Sequence, residues 1–228
     1  MLNEKITLES LLRKRASLKA FLFDLDGTLV DSQEGIITTI KEYLKSKGHD
    51  FGKERIAKLF GTPLEVIFKI LIPNITEDEI ATYLQEIRAN YAKNHREITK
   101  VFPHTESLLK EIQSKGYKLG LASTKMRKFI VEILEHYNLL DYFSVIVSGY
   151  EVANHKPAPD ILFETARQLQ IDPADAIYVG DAPSDIVAGK KAGAITIAVL
   201  TGSHGIDQFT AVQPDFIIKD LSAIKLEK

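Results

Sequence analysis

Short apolar runs alternate with longer amphipathic stretches along most of the chain. Six runs are rich in aliphatic, aromatic or β-branched residues and have the length of strands. They lie at 20–25, 117–123, 144–148, 176–180, 195–199 and 215–218. Patterns with helical spacing lie between most of them, at 104–115, 128–137, 160–169 and 184–192. This alternation predicts an α/β fold with a doubly wound, mostly parallel sheet covered by helices on both faces.

One interval, 32–100, departs from the alternation. It has no convincing strand and instead shows helical patterns at 33–47, 53–60, 63–72 and 77–95. Thr76 and Glu79 fit a capping box at the start of the last pattern. We therefore predict an inserted all-helical domain at 32–100 and an α/β core domain made of 1–31 and 101–228. The two chain crossings, near 30–33 and 98–103, are expected to form a hinge.

Composition narrows the class of protein. The chain has 228 residues, a net charge of −2 and no cysteine, which excludes disulfides, thiolate metal sites and cysteine nucleophiles. The net charge of −2 does not suggest a basic surface that would bind nucleic acid. No apolar run approaches the ~18 residues that a membrane-spanning helix needs. The first residues predict a short amphipathic helix through Leu8, Leu11 and Leu12 rather than a targeting signal. We expect a cytoplasmic protein, a monomer or homodimer without nucleic-acid or membrane partners.

Polar residues follow the predicted strands at the points where ligands bind in open α/β sheets, beyond the carboxyl ends. The first strand runs into two acids at spacing two, Asp24 and Asp26. Ser123, Thr124 and Lys125 follow the second strand, Lys156 comes a few residues after the third, and Asp181 and Asp185 follow the fourth. Packing alone does not explain this set at one sheet edge.

These groups together suit phosphoryl chemistry. Carboxylates such as Asp24 and Asp181 are ligands that Mg²⁺ accepts. A carboxylate also attacks phosphorus to form an aspartyl phosphate, and an acid such as Asp26 can protonate a leaving oxygen and later activate water. Lys156 supplies a positive charge, and Ser123 supplies a hydrogen-bond donor to a phosphoryl oxygen.

The same residues resemble the four motifs of the haloacid dehalogenase superfamily, in their usual order. The motifs are Asp24-Leu25-Asp26-Gly27-Thr28, Ser123 after an apolar strand, Lys156-Pro157, and Gly180-Asp181 followed by Asp185. The resemblance covers nearly the whole chain. The helical insert looks like the cap domain of the phosphoglycolate phosphatase-like branch.

The resemblance implies a role for each motif residue. Asp24 would be the nucleophile, Asp26 the acid/base, Ser123 a phosphoryl ligand and Lys156 the lysine of the third motif. The implied Mg²⁺ set is Asp24, Asp26 through its carbonyl, Asp181 and Asp185, the last acting through water or by orienting Lys156. Candidate substrate contacts are Gly27, Thr28, Thr124, Lys125, Arg127, Gly61 and Thr62. Structural interpretations of these residues stay open as well. Asp24 and Asp26 would cap a helix or a turn, and Ser123 or Asp185 would cap the helix that begins beside it. Arg127 would be a solvated helix residue.

Single residues help to distinguish between the branches of the superfamily. Asp26 disfavours the dehalogenases and phosphonatases that resemble this fold, and Ile36 stands where β-phosphoglucomutases carry a histidine. A Mg²⁺-dependent phosphatase acting on a small phosphorylated metabolite such as phosphoglycolate is therefore expected. The run from Ser123 to Arg127 resembles a loop of PpaX-type pyrophosphatases, so pyrophosphate stays open as a substrate. A non-catalytic phospho-accepting domain and a phosphoester-binding pseudo-enzyme are the competing non-hydrolytic classes.

Overall fold

The computed structural model describes residues 2–59 and 63–226. The chain packs into two compact units, one formed by 1–31 with 101–228 and one formed by 32–100. The strands are β1 (Ile6–Thr7), β2 (Ala20–Phe23), β3 (Val30–Asp31), β4 (Lys100–Val101), β5 (Lys118–Ser123), β6 (Val145–Ser148), β7 (Ala176–Gly180), β8 (Ile195–Val199), β9 (Phe216–Ile218) and β10 (Ile224–Lys225). The α-helices are α1 (Leu8–Lys14), α2 (Gln33–Ser46), α3 (Lys53–Ala57), α4 (Leu64–Leu71), α5 (Glu77–Ile98), α6 (Thr105–Ser114), α7 (Arg127–His136), α8 (Asp160–Leu169), α9 (Pro183–Ala192) and α10 (Ile206–Val212). Short 3₁₀ turns occupy Leu140–Tyr142, Gly149–Glu151, Pro173–Asp175 and Leu221–Ala223.

The first unit is built on a six-stranded sheet in the order β6-β5-β2-β7-β8-β9. Every neighbouring pair in it is parallel. The first strand of this sheet along the chain is the central strand β2; β5 and β6 then add on one side, and the chain returns to add β7, β8 and β9 on the other side. The direction of winding therefore reverses beside β2, which is where open α/β sheets bind ligands. The predicted parallel α/β fold is confirmed.

Apolar residues cover both faces of this sheet. One cluster packs β2 residues such as Phe21 and Phe23 against α6 and α7 through Leu109 and Ile130. The opposite cluster packs Leu22 and its neighbours against α8. Strands buried on both faces read as continuous apolar runs, which is why the six were visible in the sequence.

The second unit contains α2, α3, α4 and α5, with an apolar core of its own. The capping box expected at Thr76 and Glu79 forms, with the Glu79 amide donating to the Thr76 hydroxyl at 3.2 Å. Helix α5 continues to Ile98, past the predicted end at 95, and the Thr99 hydroxyl then donates to the His95 carbonyl at 2.6 Å. None of the helices within the described ranges has the length and apolar character that a bilayer crossing requires.

Some elements escaped the sequence analysis. The predicted first strand is two residues too long, because the chain turns after Phe23 and the Leu25 carbonyl accepts from the Leu29 amide at 2.9 Å. Helix α10 was missed, as was the parallel pairing of β1 with β10, which joins the two ends of the chain. The predicted N-terminal helix is present as α1, capped by the Thr7 side chain.

Candidate active site

The carboxyl ends of β2, β5 and β7 lie side by side. Phe23 is in register with Leu121 on one side and with Val179 on the other. The next residue, Asp24, keeps the register, because its amide donates to the Val179 carbonyl at 2.9 Å. The sheet thereby carries Asp24, Ser123 and Asp181 to one edge, as the strand-end rule predicts.

Lys156 binds two of the acids at this edge. Its Nζ lies 3.0 Å from Asp24 Oδ1 and 2.8 Å from Asp185 Oδ1. The lysine side chain is 3% exposed, so this ion pair is largely removed from solvent. Burial opposes the charge on Lys156, but the charges of Asp185 and Asp24 outweigh it and raise the pKa of the ammonium. The lysine is therefore a fixed cation.

Asp185 is held by three donors. Tyr178 Oη donates to its Oδ1 at 3.1 Å, the Ala182 amide donates to its Oδ2 at 3.0 Å, and Lys156 provides the third contact. The amide contact fastens Asp185 across the first turn of α9. Asp185 therefore combines the helix-cap role with a contact to the buried lysine.

Asp24, Asp181 and Asp185 form a compact acidic cluster. One carboxylate oxygen from each lies within 4.8 Å of the others, and all three residues are buried. Burial, and then repulsion from Asp185 and Asp26 against the pull of Lys156, raises the pKa of Asp24 to about 6. Burial and the charges of Asp185 and Asp24 also raise the pKa of Asp181 well above its usual value. Three buried acids beside one lysine leave an excess of negative charge that a cation would relieve.

Two glycines make room for the Asp181 carboxylate. A Cβ on Gly27 would lie 2.2 Å from Asp181 Oδ2, and one on Gly202 would lie 1.9 Å from the same atom. Gly27 also has φ +78°, which favours glycine. The Thr28 hydroxyl donates to Asp181 Oδ1 at 3.3 Å. Gly27 and Thr28 thus shape the acidic cluster from the first motif.

Asp26 points to a different cation. Lys125 Nζ lies 2.9 Å from its Oδ1 and 2.8 Å from its Oδ2. The Asp26 carboxylate is accordingly not part of the compact cluster of three acids. The two acids of the first motif therefore pair with different lysines, Asp24 with Lys156 and Asp26 with Lys125.

The loop after β5 places the remaining predicted residues. Ser123 is buried, and its Oγ accepts from the Lys125 amide at 3.4 Å. Thr124 is exposed. The Arg127 guanidinium donates hydrogen bonds to the Glu151 carboxylate and to the Ile146 carbonyl. These contacts hold Arg127 against β6 and the 3₁₀ turn that follows it, and its assignment as a substrate contact stays a prediction.

Gly61 and Thr62, the two substrate contacts predicted in the helical unit, lie outside the described residues. Other residues that support the site were not predicted from the sequence. Thr201 donates to the Gly27 carbonyl at 2.6 Å, and Gly202 borders Asp181. Both follow β8, so the strand-end rule would have found them had it been applied to that strand. The sequence indicates Tyr178 only weakly, because a single tyrosine in a predicted strand of apolar residues does not show that it contacts the site.

Comparison with known proteins agrees with this geometry. A sequence profile for haloacid dehalogenase-like hydrolases matches residues 21–199. The chain is 32% identical to a phosphoglycolate phosphatase of Aquifex aeolicus over 89% of this chain and 96% of that protein. It is 31% identical to the pyrophosphatase PpaX of Oceanobacillus iheyensis over 91% of this chain and 95% of that protein.

A solved structure agrees as well. A haloacid dehalogenase-like family hydrolase from Streptococcus pneumoniae superimposes with a TM-score of 0.78 at 26% identity, covering 90% of this chain and 95% of that one. The family match spans the central strand, the acidic cluster and both lysines. The chain belongs to the haloacid dehalogenase-like hydrolase family and is an enzyme of that class.

Proposed function

We propose that this protein is a Mg²⁺-dependent phosphatase that hydrolyses small phosphorylated metabolites through an aspartyl-phosphate intermediate. The observation that carries the proposal is the placement of Asp24. It lies at the carboxyl end of the central strand, is bound by Lys156 at 3.0 Å and belongs to the buried cluster of three acids. A carboxylate in such a place is suited to attack an anionic phosphate, because Lys156 and a bound cation would offset the repulsion between them.

The donor set fits a hard divalent cation. Asp24 and Asp181 would hold Mg²⁺ together with the Asp26 carbonyl, and Asp185 would act through water or by orienting Lys156. When bound, the metal would offset the repulsion between the Asp24 carboxylate and the phosphate dianion. Oxygen ligands with an excess of negative charge match the preference of Mg²⁺.

In the first step, the Asp24 carboxylate attacks phosphorus and the bond from phosphorus to the bridging oxygen breaks. Asp26 gives its proton to that oxygen, so the bridging oxygen of the leaving group departs without a negative charge. Lys156 holds the nucleophile and balances its charge. Ser123 and the backbone amides after Asp24 would donate to the phosphoryl oxygens.

In the second step, water attacks the phosphorus of the aspartyl phosphate. Asp26, now deprotonated, takes a proton from the water, and the bond from phosphorus to Asp24 breaks. Inorganic phosphate leaves and both carboxyls return to their starting states. One acid thus works in both directions, as microscopic reversibility requires.

The substrate is proposed from the relatives. A phosphoglycolate phosphatase and a PpaX pyrophosphatase are about equally similar to this chain, so phosphoglycolate is the first candidate and inorganic pyrophosphate the second. We further propose that the helical unit, 32–100, serves as the cap domain that selects the leaving group.

Phosphate release from phosphoglycolate, pyrophosphate and p-nitrophenyl phosphate in the presence of Mg²⁺ tests the proposal directly. Release from at least one of the three supports a phosphatase. Absence of release from all three, and from a wider panel of sugar phosphates and nucleotides, would refute it.

Metal removal gives a prediction with a definite pH dependence. The folded-state pKa of Asp24 is raised to about 6 by burial, so this acid favours the folded, metal-free protein only at low pH. That contribution is complete below its ordinary pKa near 4 and is lost as the pH rises through about 6. Mg²⁺ needs the deprotonated acids. We therefore expect Mg²⁺ to raise the melting temperature more near pH 7.5 than near pH 5.

Thermal unfolding with Mg²⁺ and with EDTA at both pH values measures this effect. EDTA should also abolish turnover. Asp181→Asn removes one ligand and should shrink the Mg²⁺-induced rise at the higher pH. A rise of equal size at both pH values, or full activity in EDTA, would contradict the assigned metal site.

Replacing Asp26 tests the acid/base role. Asp26→Asn keeps the shape but cannot deliver a proton, so we expect turnover to fall by roughly 10²- to 10⁴-fold. The loss in kcat/KM, which reports the first step, should be smaller for p-nitrophenyl phosphate, whose leaving group needs little protonation. Mg²⁺ binding measured calorimetrically should persist, because the carbonyl of residue 26 remains. An equal loss of kcat/KM on all substrates would argue against Asp26 as the acid.

A further inference from the structure

Lys125 forms an ion pair that the mechanism above does not use. Its Nζ contacts both oxygens of Asp26, at 2.9 and 2.8 Å. The lysine side chain is 8% exposed, whereas the Asp26 side chain is 22% exposed. The cation is thus mostly enclosed, and the carboxylate it binds is open enough for a ligand to reach.

The loop around Lys125 is built to hold it. The Ser148 hydroxyl donates to the Lys125 carbonyl at 2.7 Å. The Ser148 amide in turn donates to Glu151 at 3.1 Å, and Glu151 pairs with Arg127. These contacts fix the backbone of the loop from β6 and from the start of α7. Lys125 therefore reaches Asp26 from a rigid base.

The two lysines of the site have separate partners. Lys156 binds Asp24 and Asp185, on the side of the proposed nucleophile. Lys125 binds Asp26, the acid that protonates the leaving oxygen. A cation beside the general acid lies on the side of the leaving group, not of the attacking carboxylate.

We propose that Lys125 is the residue that selects substrates whose leaving group carries its own anionic group next to the bridging oxygen. It would exchange the Asp26 carboxylate for that anion when the substrate binds. This inference rests on the proposed function, since it takes Asp26 as the acid of a phosphatase.

Distances support the exchange. A general acid lies within a hydrogen bond of the oxygen it protonates. Lys125 Nζ lies one further hydrogen bond away, so it falls within roughly 6 Å of the bridging oxygen. The carboxylate of glycolate and the second phosphate of pyrophosphate both sit within a few bonds of that oxygen. A leaving group without an anion there has nothing to offer the lysine in place of Asp26.

A matched pair of substrates isolates this contact. Phosphoglycolate and its neutral amide, phosphoglycolamide, have nearly the same size and shape, but the first carries a charged carboxylate where the second carries a neutral amide. A hydrogen bond to a charged group contributes about 1.5–3 kcal/mol, which corresponds to about a 10- to 150-fold preference. We expect wild-type kcat/KM to favour phosphoglycolate over the amide by that factor, and Lys125→Gln to remove most of the preference.

Lys128→Gln is the matched control. Lys128 lies three residues further on, in α7, with a side chain that is 68% exposed, so this variant should keep the wild-type preference. A second variant, Lys125→Arg, retains the charge and should retain part of the preference. Melting temperatures for all variants identify any that fail to fold.

The outcomes separate the possibilities. A wild-type enzyme that hydrolyses the acid and the amide equally well overturns the inference, whatever the variants do. Equal losses on both substrates in Lys125→Gln also overturn it, because they would make Lys125 a ligand of the transferred phosphoryl group or a mere support for Asp26. A wild-type enzyme that releases no phosphate from either substrate, from pyrophosphate, from p-nitrophenyl phosphate or from the wider panel of sugar phosphates and nucleotides refutes the proposed function instead.

Discussion

Replacing Asp24 by asparagine is expected to lower turnover by roughly 10⁴-fold or more while leaving the fold intact. The amide has the size and shape of the carboxylate but cannot attack phosphorus or form an acyl phosphate. Lys156 keeps its contact with Asp185 at 2.8 Å, so the buried lysine retains a partner. The chemistry should therefore fail without collapse of the site.

The same substitution has a predicted effect on stability. Burial raises the pKa of Asp24 to about 6, so near neutral pH the folded protein without metal carries this charge at a cost. Asparagine removes that charge, and the metal-free variant should melt at the wild-type temperature or above it. Addition of Mg²⁺ should stabilise Asp24→Asn less than wild type, because one ligand is lost.

Phosphate release and thermal unfolding measure both effects on the same preparation. Asp141→Asn is a suitable control, since Asp141 is exposed in a 3₁₀ turn of the same unit, and it should resemble wild type in both assays. Activity of Asp24→Asn within tenfold of wild type would overturn the nucleophile assignment. A large drop in melting temperature without metal would contradict the charge argument.

The parts of this site that could be predicted from sequence are those that the backbone determines. Six strands buried on both faces produce apolar runs, and parallel strands bring their carboxyl ends to one edge. Asp24 and Asp181 therefore meet through strand register alone, without any knowledge of their side chains. Asp185 follows from its position in the first turn of the helix after β7.

What the sequence did not indicate depends on side-chain direction and on distant contacts. Lys125 was expected to bind substrate, but the spacing of residues does not show that its amine pairs with Asp26 across 99 positions. The place of Gly202 beside Asp181 depends on how the loop after β8 folds back. The pairing of β1 with β10 joins two-residue strands, too short for any periodicity to mark them.

Removal of Lys156 is expected to have the largest effect on stability. Lys156→Met fills a similar volume but leaves Asp24 and Asp185 buried without their cation. Breaking a buried pair in this way destabilises a protein by about 3–5 kcal/mol. Without metal, the free energy of unfolding should fall by that amount near neutral pH. Turnover should fall as well, because the nucleophile loses the group that holds it.

The effect should depend on pH in a definite direction. Burial already raises the pKa of Asp24 and of Asp181, and loss of the lysine removes the charge that opposes this shift. Acids with raised folded-state pKa values stabilise the fold at low pH and lose that contribution as the pH rises. Lys156→Met should therefore come closest to wild-type stability near pH 4 and differ most near pH 7.

Urea unfolding without metal at both pH values measures the difference, with Lys128→Met as the exposed control. A double variant, Lys156→Met with Asp24→Asn, removes one of the two buried charges left without a cation and should recover part of the lost stability near neutral pH. If the double variant were less stable than Lys156→Met alone, the lysine would be acting through packing rather than charge. Equal destabilisation at both pH values would lead to the same conclusion, because packing against Tyr178, whose ring centre lies 5.2 Å from Nζ, does not titrate in this range.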